Sequence, residues 1–406
     1  MTASPSLPET IDREIDAARE SLVRLCADLV GAVSVNPPGR TADVAAVVKS
    51  FLDSHAVPTE IVAADAEAPN VVGSVTGAAS GRHVVFNAHM DTMEAGDEAA
   101  WTVPVSRLTR RERRLYGLGM GNMKGALAAM CLATALIHRH AKATPGRLTL
   151  TAVSDEVMFG DRGAVHLLRH RPELAGDFLI SGEGPGFMDL AVAEKGLLWL
   201  DVEASGAGGH SSRALHGQTA TLRLAAFLAG LDGFNDLYAT PPPELSGVTG
   251  GEDNLGLRLS LNAGTLTAGT VRSQIATRAT AELDIRLPPG LSADMVEGRI
   301  RALAGGDPNI RIARVKAWDA NWVALDNKLT IAIAAAARHV RGADPRRVVR
   351  LPGSDARRWR ELGVPALCYG PQPTLSAGID DYAAEQDVVD CAKIYARTAL
   401  SLMAPG

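Results

Sequence analysis

The sequence is poor in cysteine, in aromatic residues and in long hydrophobic runs. Its four cysteines are widely spaced and form no Cys-X-X-Cys or Cys–His cluster, so we expect free, buried thiols in a reducing compartment. No stretch of about 18 apolar residues is present, which argues against a membrane span. The N-terminal segment has neither the cationic nor the apolar region that is typical of a signal peptide. These features predict a cytoplasmic protein that does not bind membranes.

The chain also lacks an excess of basic residues. Its 41 lysines and arginines are outnumbered by 46 aspartates and glutamates, which gives a net charge of −5. We therefore expect no nucleic-acid partner, because proteins that bind nucleic acids present a basic face. The 406 residues are enough for two domains, each with its own core.

Segments with strand character alternate with helical segments in the first half of the chain. Three of the strands end in polar residues: "HVVFNAHMDT", "RLTLTAVSDE" and "DFLISGEG". The helical segments include residues 6–32 and the alanine-rich "MKGALAAMCLATALIHRH". This alternation predicts an α/β fold with a mainly parallel sheet and a site beyond the carboxyl ends of the strands.

The pattern changes in the middle of the chain. Alternating strands with two helices, among them "LLWLDVEASG" and "SADMVEGRIRALAGG", predict a smaller α+β domain over residues 197–315. The C-terminal segment returns to α/β character. We therefore predict a discontinuous catalytic α/β domain of residues 1–196 and 316–406, interrupted by an inserted domain.

Ten short segments together resemble the M20 peptidase family, the dinuclear-zinc aminoacylases and carboxypeptidases, in the family's order and spacing. They are "SVNPPG", "NAHMDT", Trp101 with Pro104, "LYGLGMGNMKG", "SDE", "ISGEGP", "GAGGHSS", "AELDIRLPPG", "GSDARR" and "VPALCYGPQ". The resemblance implies a metal-binding α/β domain and an inserted lid through which these proteins commonly form homodimers. It also implies activity at an amide-type C–N bond.

Four residues match functional positions of the family. By this resemblance, His89 and Glu183 are ligands of the first zinc ion, and Asp91 hydrogen-bonds the histidine and fixes its tautomer. Glu156 matches the general base. We expect the valine that follows Glu156 to exclude water and to raise the pKa of this glutamate, which suits a base.

Three other residues depart from the family's metal site. Asn122 occupies the position of the bridging aspartate, and Val157 and Gly378 occupy positions of two ligands of the second zinc. An amide offers one neutral carbonyl oxygen, and valine and glycine side chains offer no ligand atom. We therefore predict no metal cofactor, or at most a residual single zinc on His89 and Glu183.

The inserted domain carries further candidates. His210 matches a histidine that donates to the substrate's carbonyl oxygen, often across a dimer interface, and Arg286 matches an arginine that binds a substrate carboxylate. Ser273 replaces the asparagine that usually accompanies this arginine. An ion pair across the sheet is the structural alternative for Arg286. The predicted catalytic residues are Glu156, His210, His89 and Asp91, and the predicted substrate-binding residues are Arg286, Ser273, Asn122 and Glu183.

The predicted function is an M20-like enzyme that acts without a metal at a C–N bond of a small, carboxylate-bearing, amino-acid-derived substrate. A positioned base alone contributes about 10²–10⁴-fold in rate. The reaction is therefore hydrolysis of an activated amide, or cyclisation, acyl transfer or elimination. Two alternatives stay open: a mononuclear zinc amidohydrolase that uses His89, Glu183 and Asn122, and a catalytically inactive ligand-binding pseudoenzyme.

Overall fold

A computed structural model of the chain describes residues 5–374 and 378–405. The chain divides into two compact units. Unit 1 comprises Met1–Val192, Trp322–Arg347 and Ser354–Gly406, and unit 2 comprises Ala193–Asn321 and Val348–Gly353. The inserted domain predicted over residues 197–315 lies within unit 2, which also includes residues 193–196, 316–321 and 348–353.

The helices follow the predicted segments closely, with one exception. Residues 6–32 form two helices rather than one, because the backbone leaves helical geometry at Ala18. Ser6 and Glu9 form a capping box at the start of the first helix. The α-helices are α1 (Leu7–Ala17), α2 (Arg19–Gly31), α3 (Ala42–Ser54), α4 (Gly125–Arg139), α5 (Ala164–His170), α6 (Ala220–Leu231), α7 (Ala293–Leu303), α8 (Lys328–Arg341), α9 (Ala356–Glu361) and α10 (Glu385–Met403).

The strands form a nine-stranded, a four-stranded and a three-stranded sheet among the described residues. The strands are β1 (Thr59–Ala63), β2 (Pro69–Thr76), β3 (Ala79–His89), β4 (Thr109–Arg111), β5 (Arg114–Tyr116), β6 (Pro145–Val153), β7 (Phe178–Ser181), β8 (Leu190–Glu194), β9 (Gly196–Ser205), β10 (Ser260–Ala268), β11 (Arg278–Leu287), β12 (Ile310–Trp318), β13 (Asn321–Trp322), β14 (Arg347–Arg350), β15 (Ala366–Cys368) and β16 (Tyr382–Ala384).

The central strands of the largest sheet are parallel. Its order is β1-β2-β6-β3-β7-β15-β8-β13, and β14 pairs with β8. The pairs β6–β3, β3–β7 and β7–β15 are parallel, whereas β1–β2 and β2–β6 are antiparallel. The carboxyl ends of β6, β3 and β7 therefore lie side by side at one edge of the sheet, where the sequence analysis expects the site.

Helix α4 is the most deeply buried helix segment of unit 1. Every residue from Gly125 to Ile137 is buried, because alanine, glycine and leucine line all its faces. The segment Met120–Arg139 is long and apolar enough to cross a membrane, but it is 94% buried inside the protein. A helix that is apolar on all sides and covered on all sides is typical of a protein core. The four cysteines are free and buried, as predicted.

Unit 2 is built on an antiparallel four-stranded sheet of order β10-β11-β9-β12. Helices α6 and α7 pack against it through buried residues that include Leu224, Phe227, Val296 and Ile300. Strand β10 is an edge strand, and its residues from Asn262 to Ala268 are exposed. A mainly parallel sheet in unit 1 and a smaller α+β unit 2 confirm the predicted fold class.

Candidate active site

Three neighbouring strands place the predicted catalytic residues together. Strand β3 ends at His89, β6 is followed by a turn that carries Glu156, and β7 is followed by Glu183. The three side chains are buried, with 2%, 7% and 2% of their residue surface exposed, respectively. His89 Nε2 lies 3.8 Å from Glu156 Oε2 and 3.7 Å from Glu183 Oε1. The acid cluster, as we call His89, Glu156 and Glu183, is thus assembled by the adjacent carboxyl ends of parallel strands.

The backbone oxygen of Asp91 orients the imidazole ring of His89. His89 Nδ1 lies 2.8 Å from the Asp91 backbone oxygen, which only accepts hydrogen bonds, so Nδ1 carries a hydrogen and donates it. The Asp91 carboxylate lies farther away, with Oδ1 at 3.6 Å from Nδ1. This corrects the sequence-based interpretation, in which the Asp91 side chain makes the hydrogen bond. His89 Nε2 is left to face the two glutamates.

The Asp91 carboxylate instead anchors the turn that carries Glu156. Its Oδ1 accepts a hydrogen bond from the Glu156 backbone N–H at 3.2 Å, and its Oδ2 accepts one from the Val157 N–H at 3.1 Å. Asn36 donates from Nδ2 to the same Oδ2 at 2.8 Å. Asp91 therefore positions Glu156 through the main chain, with Asn36 supporting Asp91.

A second aspartate extends this network. Asn36 Nδ2 also donates to Asp155 Oδ1 at 3.2 Å, and Arg162 binds both carboxylate oxygens of Asp155 at 3.1 Å. Asp155 has a positive φ of 62°, an uncommon conformation for a residue other than glycine. The bidentate contact with Arg162 stabilises the carboxylate in this turn. Neither Asn36 nor Arg162 is among the site residues predicted from the sequence.

The environment shifts the pKa of both His89 and Glu156 upward. Burial by itself would lower the pKa of His89, but Glu183, Glu156 and Asp91 outweigh it and raise the value to about 10. The pKa of Glu156 is raised well above its usual value, first by burial and then by the charge of Glu183. The predicted direction for Glu156 is confirmed, although Glu183, which the sequence analysis did not consider as a cause, contributes as well.

Asp355 is a further acid at this site and is not among the site residues predicted from the sequence. It precedes α9 in the "GSDARR" segment and is 9% exposed. Burial first, and then the charge of Glu183, raises the pKa of Asp355 to about 7, and His89 opposes the shift. Asp355 in turn contributes to the raised pKa of Glu156. Its position inside the GSDARR motif, directly before a helix, is the signal that the sequence offers.

Asn122 lies in a loop that a fourth aspartate, Asp381, holds in place. Asp381 accepts hydrogen bonds from the backbone N–H groups of Gly119 at 2.8 Å and Gly121 at 3.1 Å. Within the described part of the chain, Asn122 Oδ1 is buried without a hydrogen-bond partner. The adjacent Met123 Sδ contacts the His89 backbone N–H at 3.2 Å, which places this loop beside β3.

The donor set does not fit two metal ions. Asn122 supplies a neutral oxygen where a bridging carboxylate is required, and Val157 supplies no ligand atom. Among the described residues, one group of metal-ligating side chains brings its atoms within 4.8 Å of one another: His89, Glu156 and Glu183. These three fit one ion.

The predicted residues of unit 2 divide into two groups. His210 and Ser273 line one cavity of about 590 Å³, and the Ser211 backbone N–H donates to the Ser273 oxygen at 2.9 Å. Arg286 binds the carboxylate of Asp284 two residues earlier on β11, with contacts of 2.7 and 2.9 Å. The alternative interpretation of Arg286 as an ion-paired arginine is thus observed, although the pairing is along the strand rather than across the sheet.

The sequence model of the peptidase family M20/M25/M40 matches residues 85–401 of the chain. The chain belongs to this family. The resemblance inferred from the ten motifs is therefore confirmed. Among curated relatives, a probable succinyl-diaminopimelate desuccinylase of Staphylococcus aureus (strain MRSA252) is 28% identical over 219 residues, which are 53% of this chain and 51% of the relative. The chain spans about half the length of the curated relatives it matches.

Solved structures of the family share the fold. Human carnosine dipeptidase 1 superimposes with a TM-score of 0.78 at 15% identity, covering 99% of this chain and 100% of that one. A dinuclear metal binding peptidase of the M20 family from Bacillus subtilis gives a TM-score of 0.67 at 14% identity, covering 96% of this chain and 99% of that one. This M20 chain therefore keeps the family fold while it departs from a two-metal donor set.

Proposed function

We propose that this protein hydrolyses an amide-type C–N bond of a small, carboxylate-bearing, amino-acid-derived molecule without a metal ion, and that Glu156 is its general base. One observation carries the proposal: a buried carboxylate with a raised pKa lies beside His89 on a turn that Asp91 anchors through two backbone N–H groups. A base with a raised pKa is matched to proton transfer near neutral pH. The desuccinylase and dipeptidase named above support the substrate class.

In the proposed reaction, Glu156 accepts a proton from a water molecule as the water oxygen forms a bond to the amide carbon. The carbonyl π electrons move to the carbonyl oxygen, and the C–N bond breaks when the tetrahedral intermediate collapses. Glu156 then returns the proton to the leaving nitrogen. We assign stabilisation of the oxyanion to His210 and binding of the substrate carboxylate to Arg286 and Ser273. Because Arg286 is ion-paired with Asp284, the substrate carboxylate has to share this arginine with Asp284 or displace Asp284 from it.

The protonated His89 has a separate part in the proposal. Its raised pKa keeps the imidazole charged between Glu156 and Glu183 at neutral pH, so the cluster retains one positive charge. That charge lowers the electrostatic cost of an ionised Glu156. A base without a Lewis acid contributes about 10²–10⁴-fold, so we expect an amide that is activated by strain or by an electron-withdrawing group.

The second candidate is a one-metal hydrolase. The spacing of ligand atoms in the acid cluster favours it, because all three lie within 4.8 Å of one another. Three protein ligands and one open position are typical of catalytic zinc, which activates water and polarises a carbonyl group. The ligand set would be His89, Glu156 and Glu183, rather than the His89, Glu183 and Asn122 set predicted from the sequence. In this case Glu156 is a ligand.

Elemental analysis combined with Glu156→Gln separates the two candidates. We expect the purified protein to contain far less than one metal ion per chain and to turn over an activated amide equally with and without a chelator. Glu156→Gln should then lose turnover by about 10²–10⁴-fold. One equivalent of zinc that disappears in Glu156→Gln would establish the one-metal candidate instead, and full turnover in this variant would reject Glu156 as the base.

We also propose a cytoplasmic homodimer formed through unit 2. The exposed edge strand β10 supports this, because unpaired backbone N–H and C=O groups of an edge strand pair readily with a second copy. Sedimentation equilibrium should give twice the 42.5 kDa chain mass. Thr265→Pro on β10 removes a backbone N–H and should shift the population to the monomer. Thr267→Ser, which keeps the backbone N–H on the same strand, is the control and should leave the dimer unchanged. A monomeric wild-type protein would contradict the proposal.

A further inference from the structure

A cavity of about 330 Å³ lies within unit 1, apart from the acid cluster. Its lining comes from four stretches of the chain, within residues 30–35, 92–98, 105–106 and 118–124. No residue of the acid cluster is among the lining residues that the structure describes. Sites for small molecules commonly have volumes of about 300–1,000 Å³, so this cavity is large enough to hold a small ligand.

Lys124 and Thr92 form the buried polar part of this cavity. They are only 2% and 1% exposed, respectively. Their side chains are neighbours, since a Cβ atom at Gly119 would lie 2.6 Å from Thr92 Cγ2 and 3.2 Å from Lys124 Cδ. Lys124 Nζ donates one hydrogen bond, to the Ala32 backbone oxygen at 2.9 Å. An amine of a lysine has more than one N–H, so Lys124 keeps a donor for a ligand.

Lys124 forms no ion pair with any residue that the structure describes. Asp381 acts on it electrostatically, but the Asp381 carboxylate accepts hydrogen bonds from the N–H groups of Gly119 at 2.8 Å and Gly121 at 3.1 Å instead. Asp381 is also absent from the described lining of the cavity. Burying a charge is costly unless it is paired, so an anionic group supplied by a ligand would stabilise Lys124.

The hydroxyl group of Thr92 is an independent sign of a missing occupant. Thr92 Oγ1 is buried and has no hydrogen-bond partner in the described part of the chain. The main chain of Thr92 is held on both sides, because its N–H donates to the Ser34 oxygen at 2.9 Å and its oxygen accepts from the Asn36 N–H at 2.8 Å. Unsatisfied buried polar atoms are rare in folded proteins and commonly indicate a ligand, an ion or a water molecule.

The rest of the cavity combines an aliphatic wall with two exposed acids. The aliphatic side chains that line it are Val30, Val33, Val35, Val105 and Leu118. Val33 is 56% exposed, so this apolar surface reaches the outside of the protein. Glu94 and Glu98 also line the cavity, and both are exposed. A ligand that fits this lining is apolar along its length, with one anionic end.

We propose that this cavity binds an aliphatic monocarboxylate of about the length of hexanoate, whose carboxylate accepts hydrogen bonds from Lys124 Nζ and from the Thr92 hydroxyl group. The site is separate from the acid cluster and does not depend on the proposed function. A carboxylate accepts from two donors at once, and hydrogen bonds with charged partners are about twice as strong as neutral ones. Glu94 and Glu98 repel a second carboxylate, which restricts the ligand to one.

Three ligand comparisons test the inference in the wild-type protein. Calorimetric titration at pH 6 and low salt should show that hexanoate binds at least ~10-fold more tightly than hexanamide, which has the same shape and no charge. Each methylene group removed from hexanoate should weaken binding about 3–4-fold, because it removes apolar surface from the aliphatic wall. Adipate should bind several-fold more weakly than hexanoate. Equal binding of hexanoate and hexanamide, or no binding of hexanoate, would overturn the inference.

Thr92→Val and Thr134→Val form a matched pair of variants. Thr92→Val removes the hydroxyl group and keeps the side-chain shape, so hexanoate should bind about 10-fold or more weakly. Thr134 Oγ1 is likewise buried without a partner among the described residues, but Thr134 lies on α4 and does not line the cavity. Thr134→Val should therefore leave the affinity for hexanoate unchanged. An equal loss of affinity in both variants would contradict the assigned contact.

Lys124→Met tests the charged partner. This variant should lose the preference for hexanoate over hexanamide, because the cation that distinguishes the two ligands is gone. If Lys124→Met does not fold, Thr92→Val still decides the matter, since that substitution removes no hydrogen bond of the folded protein. Hexanoate that binds with wild-type affinity to both Thr92→Val and Lys124→Met would lie elsewhere on the protein, and the inference would be wrong.

Discussion

Replacement of Asn36 by alanine tests whether the hydrogen-bond network behind Glu156 matters for catalysis. The side chain donates to Asp91 at 2.8 Å and to Asp155 at 3.2 Å, and it is 4% exposed. A hydrogen bond to a charged group contributes about 1.5–3 kcal/mol to stability. In this variant Asp155 keeps its three hydrogen bonds from Arg162. Most of the lost stabilisation therefore comes from the hydrogen bond to Asp91. We expect Asn36→Ala to lower the free energy of unfolding by about 2–4 kcal/mol.

The same substitution should lower kcat more than it raises KM. Asp91 would lose the partner that orients its carboxylate, and the backbone of Glu156 would lose its fixed anchor. A displacement of a catalytic group by about 1 Å costs up to ~100-fold in rate, so we expect a fall in kcat of about 10–100-fold. Thermal unfolding and steady-state kinetics on an amide substrate measure the two effects.

Asn327→Ala is the matched control. Asn327 caps α8 by accepting a hydrogen bond from the Leu329 backbone N–H at 2.9 Å, and its loss costs about 1 kcal/mol. This variant should unfold at a lower temperature with unchanged kcat. If Asn36→Ala also kept the wild-type kcat while it lost stability, the network would be structural only, and the assigned role of Asp91 in placing Glu156 would be wrong.

Three further predictions concern residues outside the acid cluster. Burial lowers the pKa of Lys124 to about 7 in the folded protein, so the unfolded state binds more protons between pH 7 and about 10.5, and this group makes stability rise with pH in that window. The Tm of Lys124→Met minus the Tm of the wild type should therefore be largest at pH 7 and should decrease towards pH 10. All four cysteines are buried, and burial raises the pKa of Cys26 to about 12, so Ellman's reagent should label the thiols only after unfolding. Gly39→Ala should lower the Tm, because the residue has a φ of +75° and its Cβ would lie 2.8 Å from Asn36 Oδ1; an unchanged Tm would contradict this.

The sequence predicted the sheet and the three strands that carry the acid cluster. Polar residues at the ends of three apolar strands were sufficient, because parallel strands end at a common edge. The break between α1 and α2 was not predictable, since Ala18 is a good helix former and no proline or glycine marks the position. Local patterns predict periodicity, and this break depends on packing.

The acids and amides around the cluster were harder to predict. Asp355 and Asn36 reach the site through contacts between segments far apart in the chain, and nothing in their local sequence shows which carboxylates share a cavity. The role of Asp91 was also wrong in detail, because a motif identifies a residue and does not show whether its side chain or its backbone makes a given contact. Arg286 illustrates the same limit: its partner Asp284 lies two residues away on the same face of a strand.

Asp91 and Asp381 bind main-chain N–H groups at or beside Val157 and Asn122, two positions where the family resemblance implies metal ligands. Asp91 holds the backbone at Val157, and Asp381 holds Gly119 and Gly121 next to Asn122. A hydrogen bond donated by a main-chain N–H group does not depend on the side chain of the residue that donates it. These main-chain hydrogen bonds therefore do not require a particular side chain at Val157 or at Asn122.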